Sequence, residues 1–261
     1  MRRVLFATLV VALVATTACQ YNSGTSRRPE MLGKTIWDIA YPDLERVNEI
    51  LDFVAHYNYY IAMEEGEAKE EYLNDHLKHQ GGTPEIEVVD NTHTLTYSTY
   101  YNTTYSVVVE MSDDLWHVQR SGGNSYDMTI RKKDETHYTV EMSSICYSES
   151  EGSGTFDIAL TYDTKGRPEI EFTGTLEMVD GEENSAEPLT ITTQITSPLR
   201  FSNIPGYTHI PIEGYMTITV QDAHYGTTDE IVATLVTNKS GYCVSIECLD
   251  TVRVYLIAST H

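Results

Sequence analysis

The chain has 261 residues, with 17 Lys and Arg against 39 Asp and Glu, a formal net charge of −22. That excess argues against nucleic acid and anionic lipid headgroups as partners, because both are bound by neutralising phosphates with Lys and Arg. The densest basic run is only Arg131-Lys132-Lys133. The charge itself serves solubility, and the length allows one or two cores.

The first elements are targeting signals. Met1-Arg2-Arg3 precedes an apolar run, Val4 to Ala15, that is too short for a permanent bilayer helix, and then Thr16-Thr17-Ala18-Cys19-Gln20. A basic head, a short apolar segment and small residues before a cysteine read as a cleaved export signal. Thr16-Thr17-Ala18-Cys19 resembles the lipobox of bacterial lipoproteins, in the relaxed form of Bacteroidales lipoproteins of unknown function. Thr16 departs from the aliphatic residue usual there, and the resemblance covers only the signal. It implies cleavage before Cys19 and lipidation of Cys19 with diacylglycerol and a further acyl chain such as palmitate. That places the protein in the bacterial cell envelope, anchored to the outer membrane on its periplasmic or surface face. Ordinary cleavage after Ala18 is the alternative. Removing residues 1–18 takes away Arg2 and Arg3 and no acid, leaving 15 basic against 39 acidic residues, net −24.

Residues 19–36 are expected to be a tether, since Gln20 to Pro29 is rich in Asn, Ser, Gly, Thr and Arg. A helical segment is expected over residues 37–82. Leu44, Val47, Ile50, Leu51 and Val54 recur at three and four residues with Glu45, Arg46, Asn48, Glu49 and Asp52 between them. Gly66 divides the run, and Gly81-Gly82 with Pro84 stops it.

From residue 83 to 261 the period becomes two. Tyr105-Val107-Val109-Met111, Tyr126-Met128-Ile130, Phe156-Ile158-Leu160-Tyr162 and Ile170-Phe172 with Leu176-Met178 each present one apolar face. Leu189-Ile191-Ile195, Met216-Ile218-Val220, Ile231-Ala233-Leu235 and Val252-Val254-Leu256 continue the series. Turns are expected at Asp90-Asn91, Ser112-Asp113-Asp114, Ser121-Gly122-Gly123-Asn124, Lys133-Asp134-Glu135, Asp163-Thr164-Lys165-Gly166 and Asp180-Gly181-Glu182. Short links imply antiparallel neighbours. The fold class is therefore mainly β (α+β), a helical segment followed by an antiparallel meander forming a barrel-like or strongly curved sheet; a β-sandwich is the alternative.

Three cysteines remain besides Cys19. Cys248 shares the inward parity expected of Tyr242, Val244 and Ile246, Cys243 points outward, and Cys146 has the parity of Tyr138, Val140 and Met142. The pairing this suggests for an oxidising compartment is a Cys146–Cys248 disulfide.

Catalytic signatures such as GxSxG, HExxH and the P-loop are absent from the sequence. Asp75-His76-Leu77-Lys78-His79 puts two imidazoles three residues apart, but His near a helix C-terminus has an electrostatic reason to be there, so no metal is assigned. No cofactor is implied. The composition has 19 Tyr against 5 Phe and 2 Trp. Tyr97, Tyr100, Tyr101, Tyr105 and Tyr207 are the candidate ligand-contact aromatics, since an exposed phenol offers a stacking face and a hydroxyl; the structural alternative is that Tyr favours strands. Asp250-Thr251-Val252 resembles the O-glycosylation motif of Bacteroidales envelope proteins.

The sequence thus reads as a non-enzymatic, envelope-anchored protein binding a small amphipathic or apolar ligand, its partners being the membrane through acyl chains and a small molecule or glycan. The alternatives are a structural or adhesive surface protein and an unrecognised hydrolase, whose paired carboxylates would leave no motif.

Overall fold

The computed structural model describes residues 29–78, 82–98, 103–122, 124–147, 150–180, 189–202, 210–222, 226–238 and 241–259. Among these residues two helices, α1 (Pro29–Ala62) and α2 (Glu67–His76), precede thirteen strands. The first seven are β1 (Glu85–Val89), β2 (Thr92–Ser98), β3 (Thr104–Met111), β4 (Leu115–Arg120), β5 (Tyr126–Lys132), β6 (His137–Tyr147) and β7 (Ser150–Tyr162). The rest are β8 (Pro168–Asp180), β9 (Leu189–Phe201), β10 (Pro211–Asp222), β11 (Thr227–Asn238), β12 (Gly241–Cys248) and β13 (Thr251–Ser259). All thirteen form one antiparallel sheet whose spatial order is the chain order, β1 to β13, and β1 and β13 do not pair with each other. The meander is open and strongly curved. A single continuous sheet replaces the sandwich alternative.

Helix α1 runs for 34 residues, ~50 Å at 1.5 Å per residue. It begins at Pro29, so residues 29–36, expected in the tether, are helical, and Leu32 and Ile36 are buried. A proline at the first helical position costs no hydrogen bond. Pro42 removes one bond inside the helix, yet the helix continues through it, because Trp37 and Ala40 before it and Leu44 and Val47 after it are all buried in one core.

From Asp43 to Ile61 no position of α1 is exposed. The polar residues between the apolar positions are enclosed too: Asp43, Arg46, Asn48 and His56 keep 5–8% of their accessible surface. The contacts explain this. Gly33 sits against Ile246 and Cys248 of β12, and the Lys34 ammonium lies over Tyr255 of β13. Arg46 donates to the carbonyl of Asn124 beside β5, Tyr162 of β7 donates to the carbonyl of Ala55, and the Tyr57 hydroxyl meets His93 of β2 at 2.5 Å. Strands from both ends of the sheet reach one rod only if the sheet bends around it.

Bulges supply the bend, since an extra residue on one strand kinks and twists it. Register shifts occur between Met142 and Ile145 against β7, between Phe172 and Gly174 against β9, and between Tyr215 and Met216 against β9. Gly174 is one of the tight points. Its φ is +148°, and a Cβ there would lie 2.1 Å from the Thr155 carbonyl oxygen, so only glycine fits.

The inner face is the predicted one over most of the sheet. Val107 and Val109, Met128 and Ile130, Phe156 and Ile158, Phe172 and Leu176, Ile191 and Ile195, Met216 and Ile218, and Ile231 and Ala233 are all buried in the core cluster.

Two expectations about faces are corrected. Ile246 of β12 pairs with Arg253 and Val244 with Tyr255, so Arg253 and Tyr255 share the inner side while Val252, Val254 and Leu256 face outward, 55–58% exposed. The second correction concerns the cysteines. The bulge after Met142 shifts parity by one, so Ile145 is the buried residue and Cys146 turns outward. Cys146, Cys243 and Cys248 are free thiols, and the expected Cys146–Cys248 bridge is not formed: Cys146 is on the outer face of β6, while Cys248 lies in the core on β12.

Candidate functional site

Wrapping a cylinder in a sheet leaves seams where side chains do not meet, and two of them flank the second half of α1. The first is an apolar cavity of about 150 Å³ between α1 and strands β4 to β8. Leu51, Val54 and Ala55 form its helix side; Ile130, Val140, Ile158, Leu160 and Ile170 form its floor, all five at inward positions of their strands. Period-two alternation puts them there. Asp113, Asp114 and Lys132 are exposed at its mouth beside the half-buried Trp116 and Tyr138. Asn58 stands at the rim and donates through Nδ2 to the Tyr162 hydroxyl at 3.0 Å, while Tyr162 donates to the Ala55 carbonyl at 2.9 Å. Burial pushes the Tyr162 phenol up to about 12, so it remains a donor across the physiological range. An apolar floor under a charged rim accepts a ligand with one greasy and one polar end.

The second seam, of about 250 Å³, opens between α1 and strands β2 to β5. Tyr97 and Tyr105 line it. They face each other across the β2–β3 ladder with their rings stacked at 4.9 Å and 8°. Tyr97 is 1% exposed and donates to the Leu77 carbonyl at 3.0 Å. Arg46 and Arg120 enter the same space, and the Arg120 guanidinium lies 4.1 Å over the Tyr105 ring. Burial raises the Tyr97 and Tyr126 phenols, while Arg120 and Arg46 act in the other direction on Tyr126.

The structure thus brings two of the five predicted aromatics together. Tyr100, Tyr101 and Tyr207 lie outside the described residues, as do Cys19 and His79. The His76 ring stacks on His56 at 4.7 Å and 12°. Among the described residues no three His, Cys, Asp or Glu side chains come together as a metal site, and no helix is long and apolar enough to cross a membrane. Asp250 occupies the β12–β13 turn with φ +62°.

Arg46 and Arg120 went unnoticed in the sequence because each reads as a polar spacer. A signal exists for Arg120, which continues the inward parity of Trp116 and Val118, so a cation stands where the period demands an apolar residue.

Comparison with family models, with curated proteins and with solved structures finds no match.

Proposed function

We propose that the chain is an envelope lipoprotein, anchored through Cys19, whose curved β domain is a non-catalytic binding protein for a small amphipathic ligand. The observation that carries this reading is the apolar cavity with its charged rim. Its size limits the ligand: 150 Å³ is below the 300–1,000 Å³ typical of drug-sized sites. A dry apolar cavity of roughly 150 Å³ in another protein holds benzene. The enclosed part of the ligand is therefore one ring or a short branched chain, not a whole acyl chain, and its polar end meets Lys132, Asp113 and Asp114.

The test is a titration of the protein lacking residues 1–19 with indole, followed by methyl carbon–proton spectra. Shifts confined to Ile130, Ile158, Leu160 and Ile170 and abolished by Val140→Phe support the reading; unshifted methyls sink it. Anchoring is checked separately by incorporation of labelled palmitate, which Cys19→Ser must abolish.

The second reading, a structural or adhesive surface protein, is supported by the outward aliphatic row Val252, Val254 and Leu256 on the edge strand β13. Failure of indole to bind moves the weight there.

A further inference from the structure

We propose that Arg46 and Arg120 form a binding site for an oxyanion, a carboxylate or phosphate, in the seam between α1 and the inner face of β2 to β5. This site is distinct from the apolar cavity and does not depend on it. In a chain of net charge −22, two guanidinium groups converge on one partly enclosed space.

Arg120 comes from the end of β4 and points inward. Its Nε is buried without a hydrogen-bond partner, and among the described residues no carboxylate lies within ion-pair distance of it. Its contact is the Tyr105 ring beneath it, which orients the planar fork without using its N–H donors. Arg46 comes from the helix, 7% exposed. It donates through Nη1 to Glu49 at 3.0 Å and through Nη2 to the Asn124 carbonyl at 3.2 Å.

Glu49, the carboxylate that pairs with Arg46, has its side chain 40% exposed, at the edge of the space. Asp52, the other acid in the wall, faces His56 at 3.6 Å, and exposed Lys78 adds another cation at the rim. Burial and the neighbouring Arg46 hold Arg120 below its ordinary pKa, as expected of two cations sharing poorly hydrated space.

An oxyanion removes that conflict. It takes bidentate donors from Arg120, screens Arg46 from Arg120, and lies beside the flat wall of the Tyr97–Tyr105 stack. The volume of about 250 Å³ accommodates a phosphate or a small organic acid.

The test is calorimetric titration of the purified full chain with inorganic phosphate and with acetate, at ionic strength held constant with chloride. Saturable binding of at least one anion is expected, at least tenfold weaker in Arg120→Gln with an unchanged circular dichroism spectrum. The preferred anion names the ligand class. Absence of saturable heat with both anions, or equal affinity in Arg120→Gln, overturns the site. Should Arg120→Gln not fold, Arg120→Lys serves, because it keeps the charge and loses the fork. Binding at least threefold weaker is expected there, and equal affinity overturns the site. Indole uptake in the apolar cavity is unchanged in either variant, so the two readings fail separately.

Discussion

His56 on α1 donates through Nδ1 to the hydroxyl of Tyr72 on α2, 2.7 Å away, and Tyr72 donates its single proton to the carbonyl of Gly166 at 2.8 Å. The phenol has one hydrogen and it is committed to Gly166, so the imidazole must be the donor in the first bond. This relay ties both helices to the β7–β8 turn. Tyr72→Phe strands a buried N–H and a buried carbonyl while leaving the ring in place, and is expected to cost about 2–3 kcal/mol in urea unfolding. A loss below about 0.5 kcal/mol contradicts the relay.

The pH dependence of stability follows from two buried groups of opposite sign. His56 is pushed down to about 3 by burial and by His76, against an ordinary value of 6.5. Between those values the unfolded chain takes up a proton that the native state refuses, so stability falls as pH drops from 6.5. Asp43 is pushed up to about 7 by burial and by Asp180, against an ordinary 3.8. Between those values the native state keeps a proton that the unfolded chain releases, so stability falls as pH rises. Each slope is at most about 1.4 kcal/mol per pH unit, and from pH 4 to 6.5 they oppose each other. Asp43→Asn leaves the His56 slope alone: it is expected to gain stability relative to wild type as pH rises from 4, and to be the more stable protein at pH 8. Chemical denaturation at four pH values decides this, and parallel curves for the two proteins contradict it.

Gly166 carries a second demand besides its carbonyl. Its φ is +76°, and a Cβ there would lie 2.4 Å from ring carbons of Tyr59. Gly166→Ala is expected to cost about 2–4 kcal/mol, from an unfavourable backbone and a steric clash together. Adding Tyr59→Ala relieves the clash and not the backbone, so the double variant recovers only the clash part relative to the sum of the single costs, as a double-mutant cycle on thermal unfolding will show.

The register of the last hairpin gives a contrast between near neighbours. Ile246 is 2% exposed, and Ile246→Ala should cost about 2–4 kcal/mol. Val254, on the adjoining strand, is 58% exposed on the opposite face, and Val254→Thr should change stability by less than about 0.5 kcal/mol. Equal costs at the two positions place β13 one residue out of register.

Much of the sheet was legible because a half-buried strand writes its faces into every second residue. Met128 and Ile130, or Ile218 and Val220, needed no tertiary information to be assigned inward. What parity cannot carry is a bulge. One additional residue after Met142 reverses the sense of Cys146, and nothing in Ser143-Ser144 announces it. At β13 Val252, Val254 and Leu256 face outward, so the rule that apolar means inward fails at an edge whose inner positions include Arg253 and Tyr255. The helix was recognised by its 3.6 period, but its enclosure was not: Arg46, Asn48 and His56 carry the polarity of a solvent-facing side and are covered only because the sheet curls past them. For the same reason the Tyr97–Tyr105 pair could be suspected from the sequence, while the Arg46 guanidinium that shares its seam could not, and Arg120 left only its strand parity as a signal.

Strand order along the sheet equals strand order along the chain, and that shapes how the molecule is assembled. Every backbone ladder joins sequence neighbours, so each closes a short loop and costs little chain entropy. Synthesis delivers α1 before any strand. Hairpins can then be added one after another around a rod already in place, each burying another stripe of it. Before the strands close over the helix, Asp43, Arg46, Asn48 and His56 face water, and the polarity that looks misplaced in the finished interior suits a helix not yet covered.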